Sequence, residues 1–286
     1  VTDKITKDDN WVNNVPIGRR VYSQGKQDGI IEYIFENIGT TFKFCVEFGF
    51  NTDFLTGGSG ANITRLVMNE NWKCLLLDSE YENLDINLHK ELLTYENIGQ
   101  IFKKYSVPPK PDYVSIDVDS TDLWLMKGML EAGYRPRLIS VEYNKNYPLG
   151  FSYTVTREKT PVSFDYISQM LYGASMTALN KVAEEFEYSL VAVVDGLDLF
   201  FVRNDLLTCS APSIESFKHL TNQRQHGPTT IERLREYVVE YPSEKRISLD
   251  VIKKHPEVFW VKDIKEFEKF RVDLMRQDEF RYKGEK

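Results

Sequence analysis

Four oxygen-bearing side chains stand out by type and spacing. Asp117 and Asp119 lie two apart at the end of the apolar run Tyr113–Val118, and Glu142 and Asn144 lie two apart at the end of Arg137–Tyr143. Strand side chains alternate between faces, so each pair projects from one face of its strand. Carboxylate and amide oxygens are hard ligands, suited to Mg2+ or another divalent cation such as Ca2+. An ion held there would orient a bound hydroxyl and lower its pKa. The same residues suit other work. They can hold a ligand's amino group, and Asp119 and Asp122 can both serve the N-terminus of the helix that follows. His226, in Gln225-His226-Gly227, is a candidate general base if the tail folds back over the site, and otherwise an ordinary surface residue.

A second group of residues points to a nucleoside. The run FKFCVEF delivers Glu47 and Gly49, then a loop, Asn51 to Gly60, that contains Gly57, Gly58 and Gly60. The run KCLLLD ends in Asp78, followed by Ser79. An acid closing the second strand of an α/β sheet holds a ribose through its hydroxyls. A dinucleotide fingerprint would place G-x-G-x-x-G directly after the first strand. Here Gly49 is followed by Phe50, Asn51 and Thr52, and the other glycines come late, so no pyrophosphate cradle is evident. An acid and a glycine before a looser loop suit a ligand without phosphate, such as S-adenosylmethionine. Asn62-Ile63-Thr64 is a formal glycosylation sequon, and its place at the end of this loop argues against modification.

These groups need a scaffold that brings strand ends together. Strand-like and helix-like segments take turns along the chain, the pattern of a parallel sheet with crossover helices. Strands are expected over Phe42–Phe48, Lys73–Asp78, Tyr113–Val118 and Arg137–Tyr143. Helices are expected from near Ala61, over Tyr95–Tyr105 and Leu123–Ala132, and over Ala174–Glu185. Asp195-Gly196 between the apolar runs Leu190–Val194 and Leu199–Val202 is a hairpin signal, so the sheet should end in an antiparallel pair. Asn144 to Tyr166 is long for a connection, where the median is about 4–6 residues. It carries Tyr147, Phe151, Tyr153, Phe164 and Tyr166, which suits an acceptor-binding lid or simple packing of the loop. The expected organisation is an N-terminal arm (1–20), an α/β domain (21–205) and a helical C-terminal extension (206–286).

Composition narrows the partners. With 286 residues, 42% of them hydrophobic, there is ample material for a core. A net charge of −7 argues against nucleic acid and against an anionic membrane surface. No apolar run approaches the roughly 20 residues that span a bilayer. Three well-separated cysteines make no disulfide framework and favour a reducing, cytoplasmic setting. The first residue is Val1 rather than Met and no charged-then-apolar leader follows it, so the natural N-terminus is expected upstream.

Several short motifs, in order, carry a resemblance. They are Tyr22-Ser23-Gln24 with Gln27-Asp28-Gly29, Val46-Glu47-Phe48-Gly49, Glu96-Asn97-Ile98, Ser115-Ile116-Asp117-Val118-Asp119, Val141-Glu142-Tyr143-Asn144, Tyr172-Gly173-Ala174-Ser175 and Phe200-Phe201-Val202-Arg203. Together they resemble the FkbM-type S-adenosylmethionine-dependent methyltransferases, most closely a little-described branch, over about Tyr22 to Asp205. The chain departs from that pattern in its longer Asn51–Gly60 segment, in Ser120 where Gly is common and in Ser115 where Lys is common.

The resemblance implies a Rossmann-like class I methyltransferase fold and O-methylation of a small-molecule or glycan hydroxyl. It implies Glu47 and Gly49 beneath the methionine moiety, Asp78 with Ser79 at the ribose, and Asn62 in the cofactor loop. It places Asp117 near the amino group, while Gln24 and Asp28 close over the cofactor. Asp117, Glu142 and His226 are the expected catalytic residues. The oxygen cluster Asp117, Asp119, Glu142 and Asn144 is similar to the metal site of catechol O-methyltransferase-type enzymes. Two rivals are a nicotinamide-dependent oxidoreductase, which lacks its fingerprint here, and a non-catalytic module that retains a cofactor and binds protein through the C-terminal extension.

Overall fold

A computed structural model describes residues 10–157, 171–223 and 228–269. Its main sheet has seven strands: β1 (Phe44–Phe48), β2 (Lys73–Asp78), β3 (Leu88–Lys90), β4 (Tyr113–Ile116), β5 (Leu138–Glu142), β7 (Tyr188–Val193) and β8 (Asp198–Arg203). They run in the order β3-β2-β1-β4-β5-β8-β7. The pairings from β3 through β5 are parallel, while β8 lies antiparallel to both β5 and β7. The central strands are apolar on both faces because both faces are covered, as parallel sheets require. Helices α3 (Ile98–Lys104), α4 (Asp122–Glu131) and α5 (Met176–Glu185) bury Phe102, Met126 and Leu179 against one face. Helices α1 (Gln27–Ile38) and α2 (Thr64–Glu70) bury Ile34 and Leu66 against the other. The architecture is a three-layer Rossmann-like α/β domain.

Local chemistry sets the ends of these elements. Ser175 caps α5 by accepting a hydrogen bond from the Ala178 N–H. The β7–β8 connection turns on Asp195 and Gly196, with Gly196 at φ +69° and the Leu197 N–H donating to the Val194 carbonyl. The expected hairpin is therefore present, with its strands extended to Tyr188 and Arg203. Strand β3 went unread in the sequence because three residues give too little pattern.

Two expectations need correction. The C-terminal part is not wholly helical. Its β9 (Val238–Glu240) and β10 (Lys245–Arg246) join β6 (Tyr153–Val155) in a second, antiparallel sheet, flanked by α6 (Ile231–Tyr237) and α7 (Leu249–Lys254). The described aromatics of the long loop do not form a lid. Tyr147 and Phe151 pack with Tyr153, now part of β6, and with Phe259 into a separate apolar cluster, because the second sheet needs a core of its own. Phe164 and Tyr166 lie outside the described residues. The N-terminal arm is also built in from Trp11 and Val12, which are buried beside α1.

Cys45 and Cys74 face each other in register across β1 and β2 as free thiols, and Cys209 is also free. No described helix is long and apolar enough to cross a membrane.

Candidate functional site

The strand order reverses between β1 and β4, and open α/β sheets bind ligands in the crevice at such a point. A cavity of about 610 Å3 opens there, lined from the ends of β1, β2, β4 and β5 and from the β7–β8 turn. Gly49 makes the crevice possible. It sits at φ +71°, and a Cβ at this position would fall 1.7 Å from the Asp117 carbonyl oxygen. Only glycine lets the β1 and β4 ends approach so closely.

At the cavity's inner end, Asp117, Asp119 and Glu142 each place a carboxylate oxygen within 4.8 Å of the others. No described residue donates a hydrogen bond to any of the three, and Glu142 Oε2 is buried without a partner. Buried polar atoms are rarely left in that state, and a cation at this point would satisfy the oxygen. Burial, followed by the nearby Asp117 charge, drives the Glu142 carboxyl well above the usual range. Burial and the Asp119 charge do the same to Asp117. The donor set is all hard oxygen, and it fits a divalent cation.

The loop carrying these acids is braced from α4. Asp122 accepts hydrogen bonds from the Val118 N–H (2.8 Å) and the Ser120 N–H (3.0 Å). Between them Asp119 is held at φ +56°, a conformation that non-glycine residues seldom adopt. Burial pushes the Asp122 carboxyl up to about 7.

Asp78, Ser79 and Tyr81, from the end of β2 and the turn after it, line another part of the cavity. Asp78 Oδ1 accepts from the Glu80 and Tyr81 N–H groups at 2.7 and 3.0 Å, fixing the turn after β2. Its other oxygen accepts nothing from the described residues. Above them lies a strap, Val21 to Gly25. Asp28 Oδ2 accepts from the Val21, Tyr22 and Ser23 N–H groups and from the Ser23 hydroxyl. The Gln24 N–H donates to the Gly60 carbonyl at 3.2 Å, so Gln24 meets the cavity while Asp28 works beneath the strap.

Glu47 lines the cavity and accepts from the Asn62 and Ile63 N–H groups at 3.0 and 3.1 Å. Burial outweighs those bonds and raises its carboxyl to about 8. Asn62 lies behind the main cavity, where its amide donates to Ser115 (3.1 Å) and Asp198 (3.3 Å). Asp198, only 3% exposed, also accepts from Gln27 at 2.8 Å and stands opposite Glu142 in the β5–β8 register. Burial raises its carboxyl too.

The structure thus gathers Gln24, Glu47, Gly49, Asp78, Ser79, Asp117, Asp119 and Glu142 around one cavity. Asn144 is not with them. Its Oδ1 accepts from the Asn146 N–H and side-chain amide, and its Nδ2 donates to the Tyr172 carbonyl, so its amide holds the following loop instead of the acid cluster. The expected fourth oxygen ligand is therefore corrected: β5 ends at Glu142, and the alternation that would have aligned Asn144 ends with it. His226 lies outside the described residues. Three residues went unread as site members. Tyr172, 4% exposed, lines the cavity near Glu142; Asp198 and Gln27 form the wall behind it. A signal for Asp198 was available, because an acid opening the apolar run LFFV has no place in a core without a polar partner. No protein-family model matches the chain, and no curated protein matches it either.

Proposed function

We propose that this chain is an S-adenosylmethionine-dependent O-methyltransferase of the FkbM type, acting on a hydroxyl of a small molecule or glycan with a divalent cation. The observation that carries this reading is that the described acid–base side chains of the cavity, tyrosines aside, are all carboxyls, which ionise when a cation takes the place of their protons. Glu47, Asp78, Glu80, Glu91, Asp117, Asp119 and Glu142 line the cavity, and no described Lys, Arg or His does. A cleft lined by one sign of charge concentrates the opposite sign. It repels a pyrophosphate and favours a nucleoside bearing a sulfonium and an ammonium. The sheet points the same way. The dinucleotide order is 3-2-1-4-5-6 with a mostly parallel sheet, whereas here an antiparallel strand is wedged beside β5.

S-adenosylmethionine supplies an electrophilic methyl group, and a divalent ion supplies charge that lowers a hydroxyl's pKa. The free oxygen of Asp78 accepts from a ribose hydroxyl. Gln24 and the Gly57–Gly60 loop close over the nucleoside and keep water out. Asp117 and Asp119 would hold the cation with Glu142 as ionised ligands. The acceptor oxygen would take the methyl group as the sulfonium's S–CH3 bond breaks, leaving S-adenosylhomocysteine, and the hydroxyl proton would pass to solvent. Asp122, Asp198 and Gln27 hold this machinery in place.

The test is calorimetric titration with three ligands. Sinefungin, with an ammonium in place of the sulfonium, should bind about tenfold more tightly than uncharged-sulfur S-adenosylhomocysteine, because its extra charge pairs with carboxyls that ionise as it binds. NAD+ should not bind. Failure of both nucleosides to bind, confirmed by thermal shift, would remove the cofactor assignment.

A further inference from the structure

The acidic cavity has a neighbour of opposite character. Behind the β7–β8 turn lies a half-open groove of about 770 Å3, lined by Ile30 of α1 and by β7, the last strand of the sheet. Its walls are the arm Val12–Ile17 and the segment Pro212–Leu220. Leu197 lines both spaces, and it is seated on Gly25, where a Cβ would fall 2.7 Å from its Cδ1. One leucine side chain therefore divides them.

The groove is lined by branched aliphatics such as Val15, Ile30 and Val194, with Phe217 as the one phenyl or indole ring among the described residues. Such walls suit a flexible hydrocarbon chain more than a planar ring. The volume is in the range of small-molecule sites, about 300–1,000 Å3. Ile17, at its lip, is 81% exposed and extends the apolar lining to the groove's mouth.

Charge at the groove sets the other end of the ligand. Asp195, the acid among its described lining residues, faces Lys145 Nζ at 3.5 Å. Lys26 makes no ion pair with any described residue, and His219 keeps one ring nitrogen free after Nδ1 meets the Ser216 carbonyl at 3.1 Å. With Asp195 compensated by Lys145, Lys26 is the unpaired charge among the described lining, on a chain whose net charge is −7.

We propose that this groove binds an amphipathic acid, a linear aliphatic chain ending in a carboxylate, with the chain along β7 and the carboxylate at Lys26. The net charge of the protein makes the test stringent, because indiscriminate adsorption would favour a cationic amphiphile. Dodecanoate and dodecyltrimethylammonium are titrated separately into the full chain, below their micelle concentrations, by calorimetry. Dodecanoate should saturate at one per chain and bind at least about tenfold more tightly than the cation. Lys26→Glu should abolish that preference, and Ile17→Asp should weaken both ligands about fivefold or more. Both substitutions are at exposed positions, so folding survives, and S-adenosylhomocysteine binding should be unchanged in each. Dodecanoate that fails to saturate, or that binds both variants as it binds the parent, would overturn the site whatever the nucleoside titrations show.

Discussion

Asp78 has one carboxylate oxygen tied to its own turn and one facing the cavity, so its two functions can be separated. Asp78→Asn can still accept from the turn, while Asp78→Ala loses both roles. A hydrogen bond to a charged group is worth about 1.5–3 kcal/mol, so Asp78→Ala should lower S-adenosylhomocysteine affinity by roughly 10- to 100-fold. An unchanged affinity would move the ribose elsewhere. Asp122 acts one step back from the chemistry. Its two oxygens hold the Val118 and Ser120 N–H groups, and an asparagine there can present only one acceptor oxygen. Asp122→Asn should destabilise the fold by about 1–3 kcal/mol in urea titrations. It should also weaken Mn2+ binding by calorimetry more than that destabilisation alone accounts for, since Asp119 would relax from its left-handed conformation. Normal Mn2+ affinity in a destabilised variant would make the brace purely structural.

At the scale of elements, the crevice depends on the approach of two strand ends. Gly49→Ala puts a methyl group inside the van der Waals radius of the Asp117 carbonyl, at a positive φ that alanine also resists. The backbone must move, and an expected loss of about 3 kcal/mol or more should show as a lower urea midpoint together with loss of nucleoside binding. The strands that form this crevice were legible in the sequence because each is a continuous apolar run ending in a polar residue. KCLLLD was read to the residue, and Asp195-Gly196 gave the hairpin. The second sheet was not legible, since β6 lies inside a loop whose partner strand comes some 80 residues later, and no local pattern encodes that pairing. Asn144 shows the same limit within the site. Alternation implied that it shared a face with Glu142, but the strand ends before that inference applies. Asp198 reached the site only through its register with β5, a long-range fact.

For the whole molecule, the site is a concentration of buried carboxyls that the fold must tolerate without a ligand. Glu47 has a folded value of about 8 against an ordinary value of 4.5, with burial as the main cause. Asp117, Glu142 and Asp198 are raised as well. For each, the folded state binds the proton more tightly than the unfolded chain does. The stability that these protons contribute is complete below pH 4.5 for Glu47, and it is lost as pH rises through 8. Glu47 alone should remove roughly 2 kcal/mol between pH 6 and pH 8, and the other raised carboxyls act in the same direction. Surface acids held low by bases, such as Asp205 beside Arg203, act in the opposite direction but lose their stabilisation only at more acidic pH. The ligand-free protein should therefore be more stable at pH 6 than at pH 8 in urea unfolding, and Glu47→Gln should flatten part of that slope. Mg2+ should restore stability at pH 8 and release protons as it does so, which calorimetry in buffers of different ionisation enthalpy measures directly. A slope of opposite sign would mean that the carboxyls are already ionised in the empty site. The case for a cation that displaces their protons would then fail with it.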